Sequence, residues 1–223
     1  MKRPSFLFTI SAVLATLFSC TQDAYEKGEG TYSLMQADFV EAHSNSSKQI
    51  DQALTDDGLM LSLQQPMTTA WTTTADTVYR AVLYYNKVED GKVEAVSCSR
   101  VSVAFITPKD SLTKDMKTDP LRMESVWLAK SRRYLNVGFY LKSGPTDDKE
   151  ALHHLGIVAD TTITHADGSN TLHLQLYHDQ GGVPEYYSQR SYVSIPLYTL
   201  KADSVSLSIN TYEGIVTKQF CIK

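Results

Sequence analysis

Beyond residue 30 the chain alternates apolar and polar side chains with a period of two, the spacing that places every second residue on one face of a strand. Leu59, Leu61 and Leu63 follow an Asp56-Asp57-Gly58 turn, and Val101, Val103 and Phe105 repeat the pattern. Between them, Thr77 to Lys87 (TVYRAVLYYNK) is rich in β-branched and aromatic residues, and a Glu89-Asp90-Gly91 turn leads into a long run from Lys92 to Ile106. With Ser33 to Ala42 and Lys48 to Leu54, these runs predict about five strands and no helix. So many short strands in so short a stretch suit a small closed barrel, because closure removes exposed edges. Trp71, in the Thr-rich stretch TTAWTTTAD, is placed to cap that barrel.

Residues 109–120 interrupt the rhythm. The segment Pro108 to Pro120 (PKDSLTKDMKTDP) is charged and bracketed by prolines, which predicts a linker with at most a helical turn near Leu112 to Met116. Alternation then resumes through Ser125 to Ala129, Leu135-Val137-Phe139-Leu141, Leu155 to Val158 and Leu172-Leu174-Leu176. It continues through Tyr192 to Leu200, Val205 to Ile209 and Ile215 to Ile222. About seven strands at this spacing point to an antiparallel β-sandwich over 121–223. The expected fold class is therefore all-β: a small five-stranded barrel over 31–108, the linker 109–120, and a seven-stranded sandwich. No GxGxxG, strand–helix alternation or internal repeat supports a parallel α/β sheet.

The first residues have another texture. Met1-Lys2-Arg3-Pro4 is a short basic start, Phe6 to Phe18 is a weakly polar to apolar run too short to span a bilayer, and Ser19 precedes Cys20. This order predicts a lipoprotein signal peptide over 1–19, with Cys20 as the acylated first residue of the mature chain. Two or more acyl chains, palmitate among them, would anchor it stably. Residues 20–30 (CTQDAYEKGEG) then read as a lipidated cysteine and flexible tether.

The whole chain carries a formal charge of −4, and removing Lys2 and Arg3 with the leader takes it to −6. Nucleic acid is not an expected partner of so acidic a protein. With Cys20 acylated, Cys98 and Cys221 remain; they read as two separately buried thiols rather than a disulfide. His153 and His154 are adjacent and His173 and His178 are five apart, so in strands each pair points to opposite faces and cannot chelate. No zinc-type spacing and no HExxH is present, so no metal or other cofactor is expected. Asp56-Asp57 and Asp147-Asp148 with Glu150 sit in turn-like sequence and read as solvated turns. No GxSxG elbow or P-loop specifies a nucleophile or a phosphate cradle, so no catalytic residue is assigned.

The densest chemistry is the stretch Tyr177 to Tyr192. Tyr186, Tyr187, Arg190 and Tyr192 form a candidate binding surface, since tyrosine rings supply apolar area and polar tips supply direction. The alternative is a hairpin whose aromatics cover a sandwich edge, with Arg190 paired to Glu185.

Several stretches together resemble the NigD-like lipoproteins: Asp119-Pro120 through Trp127, YLNVGFY at 134–140, Leu155 to Val158, Leu172-His173-Leu174, YHDQGGVPEYY at 177–187, and Ser194 to Leu197. The resemblance implies envelope lipoproteins of Bacteroidota that pair an N-terminal OB-type barrel with a C-terminal β-sandwich. It also implies an association with bacteriocin loci and an immunity-like role, and carries no catalytic residues. The expected function is thus a non-enzymatic binding protein, anchored to the outer membrane through Cys20 on its periplasmic face or at the cell surface. Its partner would be an envelope protein or a glycan. A glycan-contacting accessory lipoprotein and a hydrolase with a site assembled from scattered residues are the alternatives.

Overall fold

The computed structural model describes residues 35–87 and 92–223. The signal peptide, Cys20, the tether and the Glu89-Asp90-Gly91 turn lie outside the described residues. Five strands, β1 Gln36–Ser44, β2 Ile50–Thr55, β3 Met60–Met67, β4 Val78–Lys87 and β5 Lys92–Arg100, form a closed barrel in the order β1-β2-β3-β5-β4. All neighbours are antiparallel except β3 and β5, which pair in parallel at Ser62–Lys92 and Leu63–Val93. The order and the single parallel pair are those of an OB-type barrel. Ala81, Leu83 and Tyr85 of β4 alternate into the interior with Val40, Ile50 and Leu61. Trp71 packs against this core and meets Tyr79 edge-on at 5.5 Å, so it does cap the barrel.

The second body packs two sheets face to face. One is the five-stranded sheet β14-β13-β11-β10-β7 and the other the four-stranded sheet β6-β12-β9-β8. Their strands are β6 Ser102–Val103, β7 Ile106–Pro108, β8 Arg122–Leu128, β9 Tyr134–Ser143, β10 His154–Thr164, β11 Asn170–Asp179, β12 Tyr187–Pro196, β13 Ser204–Thr211 and β14 Gly214–Cys221. Leu135, Val137 and Phe139 of β9 interleave with Ile157, Leu174 and Leu207 of the facing sheet. Each such side chain contributes about 1.5–3 kcal/mol by leaving water.

Several expectations are corrected. The run from Lys92 to Ile106 is not one strand. It breaks at Val101, whose N–H donates to Arg80 O at 2.9 Å, and Ser102–Val103 and Ile106–Pro108 then join opposite sheets of the sandwich. The handover therefore falls at Val101, before the expected barrel end at 108. The sandwich has nine strands, the seven long ones expected plus these two short ones. It is also mixed, because β6–β12, β7–β10 and β11–β13 are parallel pairs created where the chain crosses between sheets.

The segment 109–120 is not a free linker between two bodies. After a single 3-10 turn at Lys109–Ser111, with none at 112–116, it runs as a strap along β11. Asp119 N–H donates to His178 O at 2.9 Å, and His178 N–H donates to Lys117 O at 3.0 Å. Leu121, at the end of the strap, is fully buried.

Barrel and sandwich are fastened by buried polar groups. Arg80, inside an otherwise apolar strand, donates to both Asp56 oxygens at 2.7 and 2.6 Å, to Ser194 Oγ at 3.0 Å and to Asn136 Oδ1 at 3.0 Å. Its guanidinium lies over the Tyr134 ring, 4.1 Å from the centroid. Glu41 accepts from Arg133 at 2.8 Å and from Tyr134 Oη at 2.8 Å. Burial alone would raise the Glu41 pKa, but the hydrogen bonds from Arg133 and Tyr134 and the charges of Arg133 and Arg80 hold it below the usual value. Beside them Phe39 meets Trp127 edge-on at 5.1 Å and Tyr192 at 5.3 Å. Asp56, expected in a solvated turn, is thus the anion of a buried cluster, while Asp57 does stay at the surface, paired with Lys130.

Candidate functional site

β12 begins at Tyr187, five residues before the expected start, because its first half is exposed and carries no apolar alternation. It pairs with β9 along its length, setting Tyr187 opposite Ser143, Arg190 opposite Tyr140 and Tyr192 opposite Gly138. The strand pleat then divides the four candidate residues. Tyr187 shares its face with Val193 and Ile195 of the sandwich core, whereas Arg190 and Tyr192 lie on the outer face with Ser194. Tyr186 precedes the strand.

On the outer face the polar groups engage one another. Arg190 Nε donates to Glu124 Oε2 at 2.7 Å, and the guanidinium lies 5.0 Å from the Tyr192 centroid. Arg190 is therefore paired with β8, not with Glu185. Glu124 raises the Arg190 pKa further. Arg122 stands over Tyr140 at 4.9 Å in the next row, and Tyr140 Oη donates to Glu124 at 3.4 Å. Tyr192 covers Gly138, where a Cβ would come within 3.1 Å of its ring. Tyr192 is thus part of the barrel–sandwich junction, and burial raises its phenol pKa.

Tyr186 and Tyr187 are the accessible pair, 75% and 53% exposed. Tyr186 N–H donates to Ser143 O at 3.0 Å, and its ring lies so close to Gly144 that a Cβ there would sit 2.6 Å from Cδ2. Residues 180–186 and 144–153 pack together at this end. Gly181, at φ +59°, leaves no room for a Cβ, which would fall 2.0 Å from Leu152 O. Gln180 Nε2 donates to Val183 O at 2.9 Å, and Leu152 remains 57% exposed beside them. The end of the sandwich therefore offers an aromatic and aliphatic surface on a closely packed frame.

The same end holds a contact that sequence reasoning missed. His173 and His178 do point to opposite faces, but the 144–153 loop folds back and brings His153 to His178, with 3.0 Å between Nδ1 and Nε2. Adjacent-residue spacing cannot reveal a contact made by a returning loop. Arg80 did leave a signal: a lone charge within the run Tyr79 to Leu83 requires a buried partner.

Two grooves border the junction. One, of 330 Å³, is lined by Phe39, Asp56, Asp57, Trp127 and Lys130, and another, of 520 Å³, by Tyr79, Arg80, Arg100, Ser102 and Phe105. Their most buried charges are committed, since Asp56 accepts from Arg80 and Asn136, and Arg80 makes four hydrogen bonds to Asp56, Asn136 and Ser194. Among the described residues, no group of three or more His, Cys, Asp or Glu side chains is placed to hold a metal ion. Cys98 and Cys221 are both free thiols, and burial pushes Cys98 up to about 12. Cys221, expected to be buried, is exposed because the β14 pleat turns it to the polar side with Thr217 and Gln219.

These features define a two-body all-β protein, an OB-type barrel locked onto a mixed β-sandwich that presents an aromatic surface at one end. Residues 102–221 match the family model described as the NigD-like C-terminal beta sandwich domain. The chain belongs to the NigD-like family. Among solved structures it is similar to a NigD-like immunity protein from Bacteroides caccae, at 22% identity and TM-score 0.66, covering 83% of this chain and 97% of that one. It is also similar to a protein of unknown function from Bacteroides vulgatus, at 17% identity and TM-score 0.63, covering 84% and 90%. A proposed lipoprotein from Bacteroides fragilis aligns at 16% identity and TM-score 0.56, covering 85% and 98%. At these identities the likeness is one of fold. No curated protein matches the chain.

Proposed function

We propose that this protein is a non-enzymatic binding protein of the cell envelope, lipid-anchored to the outer membrane through Cys20, and that it docks a protein partner on the Tyr186–Tyr187 end of its sandwich. The observation that carries the reading is the pair of exposed tyrosines held on a fixed backbone: large apolar rings with hydrogen-bonding tips, positioned by Ser143 and Gly144. An immunity-like role is the specific form of this reading, supported by the description of the Bacteroides caccae relative. Anchoring rests on the order of the first twenty residues, a basic start, an apolar run and a cysteine.

The test is a crosslinked pull-down from intact envelopes with the tagged lipoprotein, alongside Cys20→Ala and Tyr186→Ala/Tyr187→Ala. The reading expects one protein captured by the native form, lost from the tyrosine variant, and Cys20→Ala released from the membrane fraction. Retention of Cys20→Ala on membranes after a carbonate wash overturns the anchor, and capture unaffected by the tyrosine variant overturns the docking surface. Recovery of polysaccharide without protein replaces the partner with a glycan, a reading favoured by the Arg122–Tyr140 and Arg190–Tyr192 pairs beside Glu124.

A further inference from the structure

The surroundings of His153 and His178 dictate how many protons the two rings hold. His153 Nε2 lies 2.9 Å from the carbonyl oxygen of Lys142, and His178 Nδ1 lies 2.8 Å from that of Asp119. A carbonyl oxygen only accepts, so both of these ring nitrogens carry a hydrogen and donate it. A neutral imidazole has a single N–H. With both rings neutral, His153 Nδ1 and His178 Nε2 would therefore face each other as bare lone pairs. Yet they stand 3.0 Å apart, a hydrogen-bonding separation. One added proton between them turns that repulsion into a charge-assisted bond.

We infer that His153 and His178 share one extra proton in the folded protein, forming an imidazolium–imidazole bridge that latches the 144–153 loop onto β11, beside the strap, and opens when that proton leaves. Each arm of the latch is visible. Lys142 of β9 and Asp119 of the strap anchor the outer nitrogens, and His178 is fully buried in β11.

The facing charges suit a single added proton. From the strap comes Asp119, whose carboxylate also accepts from Gln180 N–H at 2.7 Å. From β11 comes Asp179, paired with Lys117 of the strap at 3.0 Å and close to His154 of β10. β9 faces the pair with the Lys142 carbonyl. Two carboxylates offset by Lys117 favour one positive charge nearby. Burial lowers the His178 pKa and a charged His153 lowers it further, against the pull of Asp119 and Asp179, so His178 does not hold the added proton alone and a second one is opposed. The bridge belongs to the pair as a coupled site. Its stabilisation is present while the shared proton is bound and is lost as pH rises through its release; acid weakens it again when both rings charge.

What the latch holds is the segment packed against residues 180–186, through the Gly181–Leu152 contact. The proton thus governs the order of the surface that carries Leu152 and Tyr186, whether or not a partner docks there.

The test is the mature chain labelled with 15N-histidine, followed across pH by NMR, beside His153→Gln and His178→Gln. A scalar coupling between His153 Nδ1 and His178 Nε2 is expected, and it should vanish as pH rises. Amide protection of residues 144–153, corrected for intrinsic exchange, should fall about tenfold or more over the same interval, the effect of losing one hydrogen bond to a charged group. His153→Gln, whose side chain is only partly buried and can still donate to Lys142 O, should abolish that pH dependence while leaving β11 protected. Two neutral rings with no coupling at any pH overturn the bridge. A loop that loosens with pH equally in wild type and both variants overturns the latch.

Discussion

Arg80 Nη2 lies 2.6 Å from Asp56 Oδ2, and the partner nitrogen Nη1 lies 2.7 Å from Oδ1, so one barrel residue grips another in a bidentate pair at the face where the sandwich docks. Only 1% of the Arg80 side chain is exposed. Asn136 and Ser194 close the cluster from the sandwich side, so the pair is complete only when both bodies are folded and in contact. This junction joins the two bodies directly, and it predicts that they unfold together.

Arg80→Ala should therefore destabilise the whole protein. Removing one partner leaves Asp56, 15% exposed and still bonded to Asn136, without its cation, which costs about 3 kcal/mol, the low end for a buried pair. Denaturant unfolding should show a lower midpoint, with barrel and sandwich probes separating into two transitions. A single transition shifted by less than about 1 kcal/mol, the size expected of a surface pair, would show that the junction is held elsewhere.

Glu41 predicts an acid dependence. Its folded pKa is held below the usual value near 4.5, so the stability it confers is present above that value and disappears as pH falls through the folded pKa. Thermal unfolding of wild type and Glu41→Gln should converge as pH is lowered below the usual carboxylate range. Parallel curves across that range would remove Glu41 from the acid response. Tyr134 acts in the opposite sense: burial and Glu41 raise its pKa, so its share is lost only on the alkaline side.

Two glycines separate backbone strain from packing. Gly58, at φ +86°, has open space around a would-be Cβ, whereas at Gly181, φ +59°, the Cβ would fall 2.0 Å from Leu152 O. Gly58→Ala should cost the left-handed penalty of about 1–2 kcal/mol. Gly181→Ala should cost more, because the 144–153 loop must shift, and should weaken partner capture through Tyr186. Equal unfolding free energies for the two variants would mean that the loop yields freely.

The thiols should differ sharply in reactivity. Cys98, pushed up to about 12 by burial, has little thiolate at pH 8, while Cys221 is exposed. In native Cys20→Ala protein, iodoacetamide should label Cys221 and reach Cys98 only after unfolding. Rapid native labelling at both sites would contradict the packing around Cys98.

Strand identity was legible wherever one face is buried. Leu135, Val137 and Phe139, or Val205, Leu207 and Ile209, announce themselves because water is excluded from every second residue. It was illegible where both faces meet water or neither does. The first half of β12 is exposed on both sides, so Tyr187 to Arg190 carry no alternation. The Tyr79 to Leu83 stretch of β4 is buried on both faces, so it reads as a strand without revealing that Arg80 points into the sandwich. Of the candidate surface, the tyrosines could be named from composition, but their separation could not. The pleat sends Tyr192 into the junction, whereas Tyr187 lies beyond the covered part of the core face and Tyr186 before the strand, so both stay exposed.

By itself, the order of residues determined an all-β chain of barrel then sandwich, its acidic charge and most strand positions, because side-chain alternation and turn chemistry act over a few residues. Tertiary structure alone decided the handover at Val101, the docking of the 117–120 strap, the Arg80–Asp56 junction and the His153–His178 contact. Each joins groups far apart in sequence whose meeting depends on sheet order and loop return, and no local pattern encodes a distance between strands that are not neighbours in the chain.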